Sequence, residues 1–387
     1  MKQLFACLFV IFSINFATAQ SLLKGIIKDK SDKPVSHVTV STEDGRHVTL
    51  TNDAGAFTLT YPSDTRQIVL EHIGYSPLFI SVTQLPKDGV FYMEQEDFIL
   101  DEVIVMNTPM KNHIEALMKS SIAQMKSPLL LTAYYREFIN MNKKYIKFSD
   151  ALIDFHLSKG KSSITSDMVV TQSRAVSFPE SEEEAAVRIV PADVREAVNM
   201  ACNFDVIDRI FDGNKNYKHY EFLVKSQKTK SGEVTETIFF SPKPNVEKAL
   251  YEGIIVYDPA KKRILNIEAT MAAPLRKFAR IRNFIFARGR LESYTYQQAF
   301  KVVDGHYMLS HSALFGNMHI WTDNGSVNNV YRVKSDMIVT NFTPDPSNFT
   351  MKKSSATNRF MRQGLTTKIN SGLPIILYSL RLKKRRL

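Results

Sequence analysis

The chain has 387 residues, of which 44% are hydrophobic, and 50 Lys and Arg side chains against 39 Asp and Glu give it a formal net charge of +11. This composition excludes a disordered or low-complexity protein, and the length suggests two or three globular domains. The basic balance favours acidic partners, such as anionic lipid headgroups and acidic glycans.

Residues 1–19 predict a secretory signal peptide. Lys2 precedes the apolar run 4–16, and Ala17-Thr18-Ala19 then forms a small-x-small cleavage site. We expect the mature chain to begin at Gln20 and the protein to be exported, to the periplasm or to the outer membrane. Export argues against a nucleic-acid partner. Later apolar runs are too short to cross a bilayer, so we expect no transmembrane span in the mature chain.

Removal of the signal also removes one of two cysteines. Cys7 lies inside the signal, which leaves Cys202 alone in the mature chain. We therefore expect no intramolecular disulfide, and the stability of the fold must come from burial.

Residues 20–106 predict a β-sandwich. Short alternating apolar runs are separated by polar turns, a pattern typical of sandwiches. Gly55 stands where a turn needs a positive φ, and Phe57 returns the chain to the buried face two residues later. The residues predicted to form the turns and the core of this sandwich are Gly25, Asp53, Gly55, Phe57, Gly74 and Tyr75.

Five short motifs follow one another along this segment: residues 24–29, Pro34-Val35, 51–57, Ile73-Gly74-Tyr75 and 100–105. Their order and spacing resemble the carboxypeptidase-regulatory-like, or prealbumin-like, β-sandwich domain. Bacteroidetes-type bacteria place such modules at the front of many envelope proteins, so the resemblance implies a cell-envelope protein. It also implies that this module is non-catalytic.

The family name raises the question of a zinc peptidase. Such an enzyme needs a His-x-x-Glu pair among its metal ligands, and none of the nine histidines has a glutamate three residues later. His-Glu-x-x-His and Gly-x-Ser-x-Gly do not occur in the sequence either. We expect no enzymatic activity, no metal and no cofactor.

A cryptic hydrolase stays open as an alternative. His306, His311 and His319 form a loose sequence cluster near Asp304 and Asp323. Because strand side chains alternate, His306 and His311, an odd number apart, are predicted to point to opposite faces.

Residues 107–128 predict a linker helix. Apolar residues recur at steps of three and four, and Pro128 closes the segment. The stripe is Ile114, Leu117, Met118, Ile122 and Met125. It either packs on the following sheet or docks a partner.

Residues 129–350 predict a β-rich domain of unknown function. Long alternating runs with short turns, as at Asp304-Gly305 and Asn324-Gly325, favour a large antiparallel sheet or half-barrel. A helical insert is predicted at about 181–212, where Ser181 and Glu184 form a capping box. The predicted fold class is therefore mainly β, with a prealbumin-like sandwich, a linker helix and a large antiparallel sheet.

This second domain resembles an uncharacterised region that follows the same sandwich in a set of Bacteroidetes envelope proteins. The resemblance lies in residues 133–137, Tyr145, Asp150-Ala151-Leu152 and the hairpin from Tyr251 to Glu268. The strand and Asp-turn pattern is also similar to lipoprotein-carrier half-barrels of the periplasm. That likeness implies an apolar cleft for acyl chains with basic residues at its mouth.

Basic side chains are concentrated in two segments, near residues 276–290 and in the C-terminal tail 351–387. Each is either a solvated surface or a contact for an anionic membrane surface. The candidate anion or membrane-surface contacts are Arg276, Lys277, Arg280, Arg282, Arg288 and Arg290.

Three functions remain open. We favour a non-catalytic structural or binding protein of the cell envelope that recognises a glycan, a lipid or a partner protein, because the predicted domains are β scaffolds without a reactive constellation. A periplasmic carrier of a lipid or lipoprotein, with an apolar cleft, is the alternative. The cryptic hydrolase is the third.

Overall fold

A computed structural model describes residues 20–344 except for 37, 46, 53, 73–74, 95–99, 178–193, 214, 229–233 and 284–286. The predictions for the signal peptide at 1–19, for Asp53 and Gly74, for the capping box at 181–184 and for the tail at 351–387 fall outside the described residues. The chain divides into two compact units, residues 1–96 and 97–387. No described helix is long and apolar enough to cross a membrane.

In its described part, the first unit contains two small sheets. Strand β1 pairs antiparallel with β4 and parallel with β7, and the other sheet has the order β3-β2-β5-β6. A short 3₁₀ helix, Val82–Gln84, precedes β7. The strands are β1 (Gln20–Asp29), β2 (Thr39–Thr42), β3 (Val48–Leu50), β4 (Ala56–Pro62), β5 (Gln67–Glu71), β6 (Leu78–Ser81) and β7 (Val90–Met93).

Side-chain alternation explains why these strands form a sandwich. In β4, Phe57 and Leu59 are buried while Thr58 and Thr60 are exposed, so one face enters the core and the other meets solvent. The core contains residues of both sheets, namely Ile27, Val38, Val40, Phe57, Leu59, Ile68, Leu70, Phe91 and Met93. The β-sandwich predicted for this segment is confirmed as a fold. The predicted bounds of 20–106 were too wide, because Leu100–Ile104 pair with Tyr220–Lys228 of the second unit.

Two glycines are required by the packing of this unit. A Cβ on Gly25 would lie 2.5 Å from a ring carbon of Phe91, and a Cβ on Gly55 would lie 2.4 Å from the carbonyl oxygen of Ile27. Gly55 also has a φ of +72°, in the left-handed region that favours glycine. Tyr75 is half-buried and stacks edge-on against His72 at 5.1 Å.

The second unit is dominated by a single antiparallel sheet, which has 12 strands in the described part of the chain. Its order is β11-β10-β9-β19-β18-β17-β15-β14-β13-β12-β8, and β16 pairs with β17 outside this path. The strands are β8 (Leu100–Ile104), β9 (Leu129–Met141), β10 (Lys144–Lys159), β11 (Ile164–Ser177), β12 (Tyr220–Lys228), β13 (Val234–Pro242), β14 (Tyr251–Asp258), β15 (Arg263–Met271), β16 (Ile281–Asn283), β17 (Arg288–Val303), β18 (His306–Trp321) and β19 (Asn328–Pro344).

Helices cover one face of this sheet. Their bounds are α1 (Met110–Gln124), α2 (Val194–Cys202) and α3 (Asp205–Phe211), and 3₁₀ helices occupy Tyr217–His219 and Ala273–Phe278. The apolar stripe of α1 packs on the sheet: Ile114 and Leu117 are buried, and the hydroxyl of Ser121 accepts the backbone N–H of Ile264 at 2.9 Å. Of the two alternatives, packing on the following sheet is therefore the one that the structure shows for this stripe.

The helix α2 extends across several strands of the sheet. It contacts both β11 and β18, which are four strands apart in the sheet order. A large apolar core lies between the helices and this face of the sheet.

The opposite face carries a row of charges. Arg174, Asp150, Arg136 and Asp336 lie in register on β11, β10, β9 and β19. Arg136 Nε donates to both carboxylate oxygens of Asp336 at 2.9 and 2.8 Å, and Arg174 Nε donates to those of Asp150 at 2.9 and 3.0 Å. Both carboxylates are buried. One ion pair therefore joins β11 to β10 and the other joins β9 to β19, in addition to the backbone hydrogen bonds.

Candidate functional site

The six basic residues proposed from the sequence lie together in the connection from β15 to β17. Arg276 and Lys277 are in the 3₁₀ helix Ala273–Phe278, and Arg280 follows it. Strand β16 then pairs with the start of β17, with Arg282 opposite Gly289. We call residues 273–290 the basic hairpin. Phe284 and Phe286, which the sequence placed among its cations, fall outside the described residues.

Most of these cations face solvent. Arg276, Lys277, Arg280, Arg282 and Arg288 are exposed, and Arg290 is half-buried. Among the described residues, two carboxylates approach the segment: Arg288 contacts Asp323 at 3.1 Å, and Arg290 lies 3.6 Å from Glu292. Burial, and then the neighbouring Arg280 guanidinium, lowers the pKa of Arg282. The crowding of like charges makes this segment a site where an added anion would be stabilised.

Apolar side chains stand among these cations. Ile281 is 54% exposed, while Leu275 and Phe278 are half-buried. The Lys277 ammonium lies 5.0 Å from the centre of the Phe278 ring, a cation–π contact. Basic and apolar groups that share one exposed segment match the two layers of a lipid interface.

A pocket lies between α2 and the helix-covered face of the sheet. Its volume is about 40 Å³, which holds about three water molecules and is too small for an acyl chain. Apolar side chains from the helix and the strands line it, among them Val194, Met200, Leu314 and Met337. The polar side chains in its wall are Tyr135, Tyr294, Tyr296, Gln298, Ser312 and Ser335.

Except for the half-buried Ser312, the polar side chains of the pocket are buried. Gln298 is 4% exposed, and its Oε1 has no hydrogen-bond partner among the described residues. The Tyr135 hydroxyl donates to Glu137 Oε2 at 3.1 Å. Burial, together with that carboxylate, raises the pKa of Tyr135 well above its usual value. Tyr135 therefore remains a neutral hydrogen-bond donor at physiological pH.

Asn199 of α2 and Asn203, which directly follows the helix, hold it against the edge of the sheet. Asn203 Oδ1 accepts the N–H of Ile164 at 2.7 Å, and its Nδ2 donates to the Ile164 carbonyl at 2.7 Å. Asn199 Oδ1 accepts the N–H of Ser166 at 2.8 Å. These amides replace a neighbouring strand along β11, the edge of the sheet, and so fix one wall of the pocket.

The histidines of β18 do not form a cluster. His306 Nδ1 contacts the Asp304 carbonyl at 2.9 Å, whereas His319 Nε2 contacts Asn328 at 2.6 Å. His306 and His311 are five residues apart, roughly 16 Å along a strand. In the described part of the chain, no group of three or more His, Cys, Asp or Glu residues is placed to hold a metal.

The predicted orientation of His306 and His311 was wrong. The pairing shifts by one residue, since Ala299 faces His311 while Phe300 faces Leu309. This β-bulge adds a residue to β18 and restores the same side for both histidines. A bulge of this kind leaves no mark in a local alternation pattern.

Comparison with known proteins identifies the N-terminal segment. Residues 23–105 match the family model of the CarboxypepD_reg-like domain. The resemblance found in the sequence is thus confirmed for this domain, while the bacterial origin and the relatives of the second domain stay predictions. The search of curated proteins gave no match.

Three solved structures show distant likenesses. A DUF1329 family protein from Desulfovibrio piger is 10% identical, with 63% of this chain and 96% of that chain covered and a TM-score of 0.25. A LolA superfamily protein from Nitrosomonas europaea is 9% identical, with 61% and 97% covered and a TM-score of 0.19. BcpA, the major pilin subunit of Bacillus cereus, is 9% identical, with 82% and 95% covered and a TM-score of 0.14. At these scores no functional inference follows.

Proposed function

We propose that this protein is a non-catalytic binding protein of the cell envelope that contacts anionic headgroups through the basic hairpin. The observation that carries the proposal is the exposure of five Arg and Lys side chains in one segment, beside Ile281, which is 54% exposed. Each cation near an anionic surface contributes about 1 kcal/mol. The signal-like residues 1–19 and the CarboxypepD_reg-like domain support an exported location.

Charge reversal in the hairpin tests this function. We expect Lys277→Glu, Arg280→Glu and Arg282→Glu together to abolish co-sedimentation with vesicles rich in phosphatidylglycerol, because the Coulomb attraction changes sign. Binding by the unaltered protein should weaken as salt rises, since salt screens exposed charges. Free polygalacturonate, added as a competitor, distinguishes a preference for an acidic glycan from one for lipid.

The matched control places the same charge change at the other ends of the strands. Lys126, Lys161 and Lys261 are exposed, and the turn at 258–263 lies at the end of β15 away from the basic hairpin. Lys126→Glu, Lys161→Glu and Lys261→Glu should leave vesicle binding nearly intact. Equal loss in both triple variants would show that net charge alone acts, and full binding by the hairpin variant would refute the proposal.

Carriage of a lipid-like molecule is a second candidate function, favoured by the apolar pocket beneath α2. An acyl chain needs more space than about 40 Å³, so carriage requires α2 to move away from the sheet. Native mass spectrometry of the protein purified from its own envelope tests this candidate. A mass that includes bound lipid would support carriage. The mass of the protein alone would contradict lipid carriage and would leave only smaller molecules as ligands of the pocket.

A further inference from the structure

The pocket beneath α2 has the composition of a binding site for a small molecule. Its wall combines apolar side chains from α2, β18 and β19 with polar groups from β9, β17, β18 and β19. Binding sites commonly pair an apolar surface with a few placed polar groups that orient the ligand. The pocket lies away from the basic hairpin, because Gln298 and Arg290 are eight residues apart on β17, roughly 26 Å.

Gln298 gives this pocket its chemical preference. The side chain is 4% exposed and lines the pocket, and its Oε1 has no hydrogen-bond partner among the described residues. A buried amide oxygen without a donor is unfavourable, because it has lost its hydrogen bonds to water and has formed none with the protein. A bound molecule that presents an N–H or O–H group would remove this cost.

The surroundings of Gln298 argue against an anionic ligand. Its partners on the adjacent strands are Ile267 and Ser312, and none of the described residues that line the pocket is Lys, Arg or His. An anion buried beside the Gln298 oxygen would therefore have no counter-charge in the pocket wall, which is strongly unfavourable. Met200, Leu314 and Met337 offer an apolar and adaptable surface to the rest of the molecule.

We propose that this pocket binds the uncharged, hydrogen-bond-donating end of a small amphipathic molecule, such as an alkyl amide or an alcohol. The donor meets Gln298 Oε1, and the first carbons of the chain contact Met200, Leu314 and Met337. A volume of about 40 Å³ admits on the order of three to four non-hydrogen atoms, by comparison with the water molecules it would otherwise hold.

Saturation-transfer NMR on the full mature chain tests the proposal, with hexanamide and hexanoate as probes. We expect hexanamide to bind and hexanoate to bind at least roughly tenfold more weakly, the usual effect of an unfavourable buried charge. Gln298→Leu should weaken hexanamide binding by about tenfold, since one hydrogen bond to the ligand is lost. The leucine variant should stay folded, because it replaces an unsatisfied amide by an apolar group of similar size.

Two further variants make the outcome decisive. Gln297→Leu changes the adjacent amide, which lies on the other face of β17 and does not line the pocket, and it should bind hexanamide normally. Ala197 is a half-buried residue of α2 that lines the pocket. The larger side chain of Ala197→Leu would fill the pocket and should abolish binding, while thermal melting remains cooperative. Equal binding by all variants, tighter binding of hexanoate, or no binding of hexanamide would each overturn the proposal. None of these results affects vesicle binding by the basic hairpin.

Discussion

At the scale of single residues, the pair of Asp150 and Arg174 couples stability to pH. Hydrogen bonds from Arg174, and then from Tyr134, lower the pKa of Asp150. A carboxyl whose pKa is lower in the folded than in the unfolded state stabilises the fold above its unfolded pKa. That contribution is lost as the pH falls through the folded pKa, so it is present at neutral pH and disappears in acid.

Replacing Asp150 by Asn should therefore destabilise the protein at pH 7. We expect a loss of about 1 kcal/mol, because Arg174 is 73% exposed and solvent screens the pair. In urea unfolding, the difference between Asp150→Asn and the unaltered protein should shrink as the pH falls below about 4. Asp167→Asn, at an exposed position of β11, is the control and should change little. A difference that stays constant with pH would contradict the role assigned to the ion pair.

Cys202 provides a second test at this scale. The side chain is fully buried in the core, and burial raises the pKa of its thiol to about 12. Only the thiolate reacts with alkylating reagents. Iodoacetamide at pH 8 should leave Cys202 unmodified in the folded protein and modify it fully in urea, as followed by mass spectrometry. Rapid modification without urea would mean that α2 opens readily.

At the scale of elements, the attachment of α2 to β11 depends on two side chains. Asn203 forms two hydrogen bonds to Ile164, and Asn199 bonds Ser166. Asn203→Ala should lower the free energy of unfolding by roughly 1–3 kcal/mol, because buried backbone groups lose their partners. Chemical denaturation measures this loss. Asn283→Ala, at an exposed position, is the matched control and should be nearly neutral.

The same substitution should alter self-association. An exposed strand edge pairs readily with another chain, so Asn203→Ala should increase the dimer fraction seen by light scattering after size-exclusion chromatography. A variant that is destabilised but strictly monomeric would show that other groups shield this edge.

Local elements were predictable because their signals are local. Buried and half-buried residues alternate without interruption from Leu129 to Met141, and the same alternation in the sequence predicted a strand. The stripe that includes Ile114 and Leu117 likewise predicted the helix α1. The bulge in β18 was not predictable, because an extra residue becomes visible only when the partner strand is known.

The pocket could not be predicted from the sequence either. Gln297 and Gln298 are chemically identical neighbours, and only the register of β17 places one of them beneath α2. The pocket joins Tyr135 with Met337, which are opposite each other on β9 and β19 although about 200 residues separate them in the chain. The alternation of Tyr294, Tyr296 and Gln298 was the one available signal, and it shows which side chains share a face but not what covers them.

At the scale of the whole molecule, two separate cores predict two unfolding steps. Ile68 is fully buried in the first unit, whose core cluster, as far as the chain is described, contains no residue of the second. Ile68→Ala should cost about 2–5 kcal/mol and shift only one of two calorimetric transitions. The matched substitution in the second unit, Ile255→Ala at a fully buried position, should shift only the other. A single transition that moves with either variant would contradict independent units.

The strand β8 affects how the chain can be divided for study. Residues 23–105 match the domain model, yet β8 forms its hydrogen bonds with β12 of the large sheet. A fragment cut at residue 105 would carry this strand without its partner and would offer bare N–H and C=O groups to other chains. The remaining fragment would lose the strand that covers β12. Cloning boundaries drawn from the domain match would therefore leave both halves prone to precipitation, whereas a cut directly after β7 keeps each sheet whole.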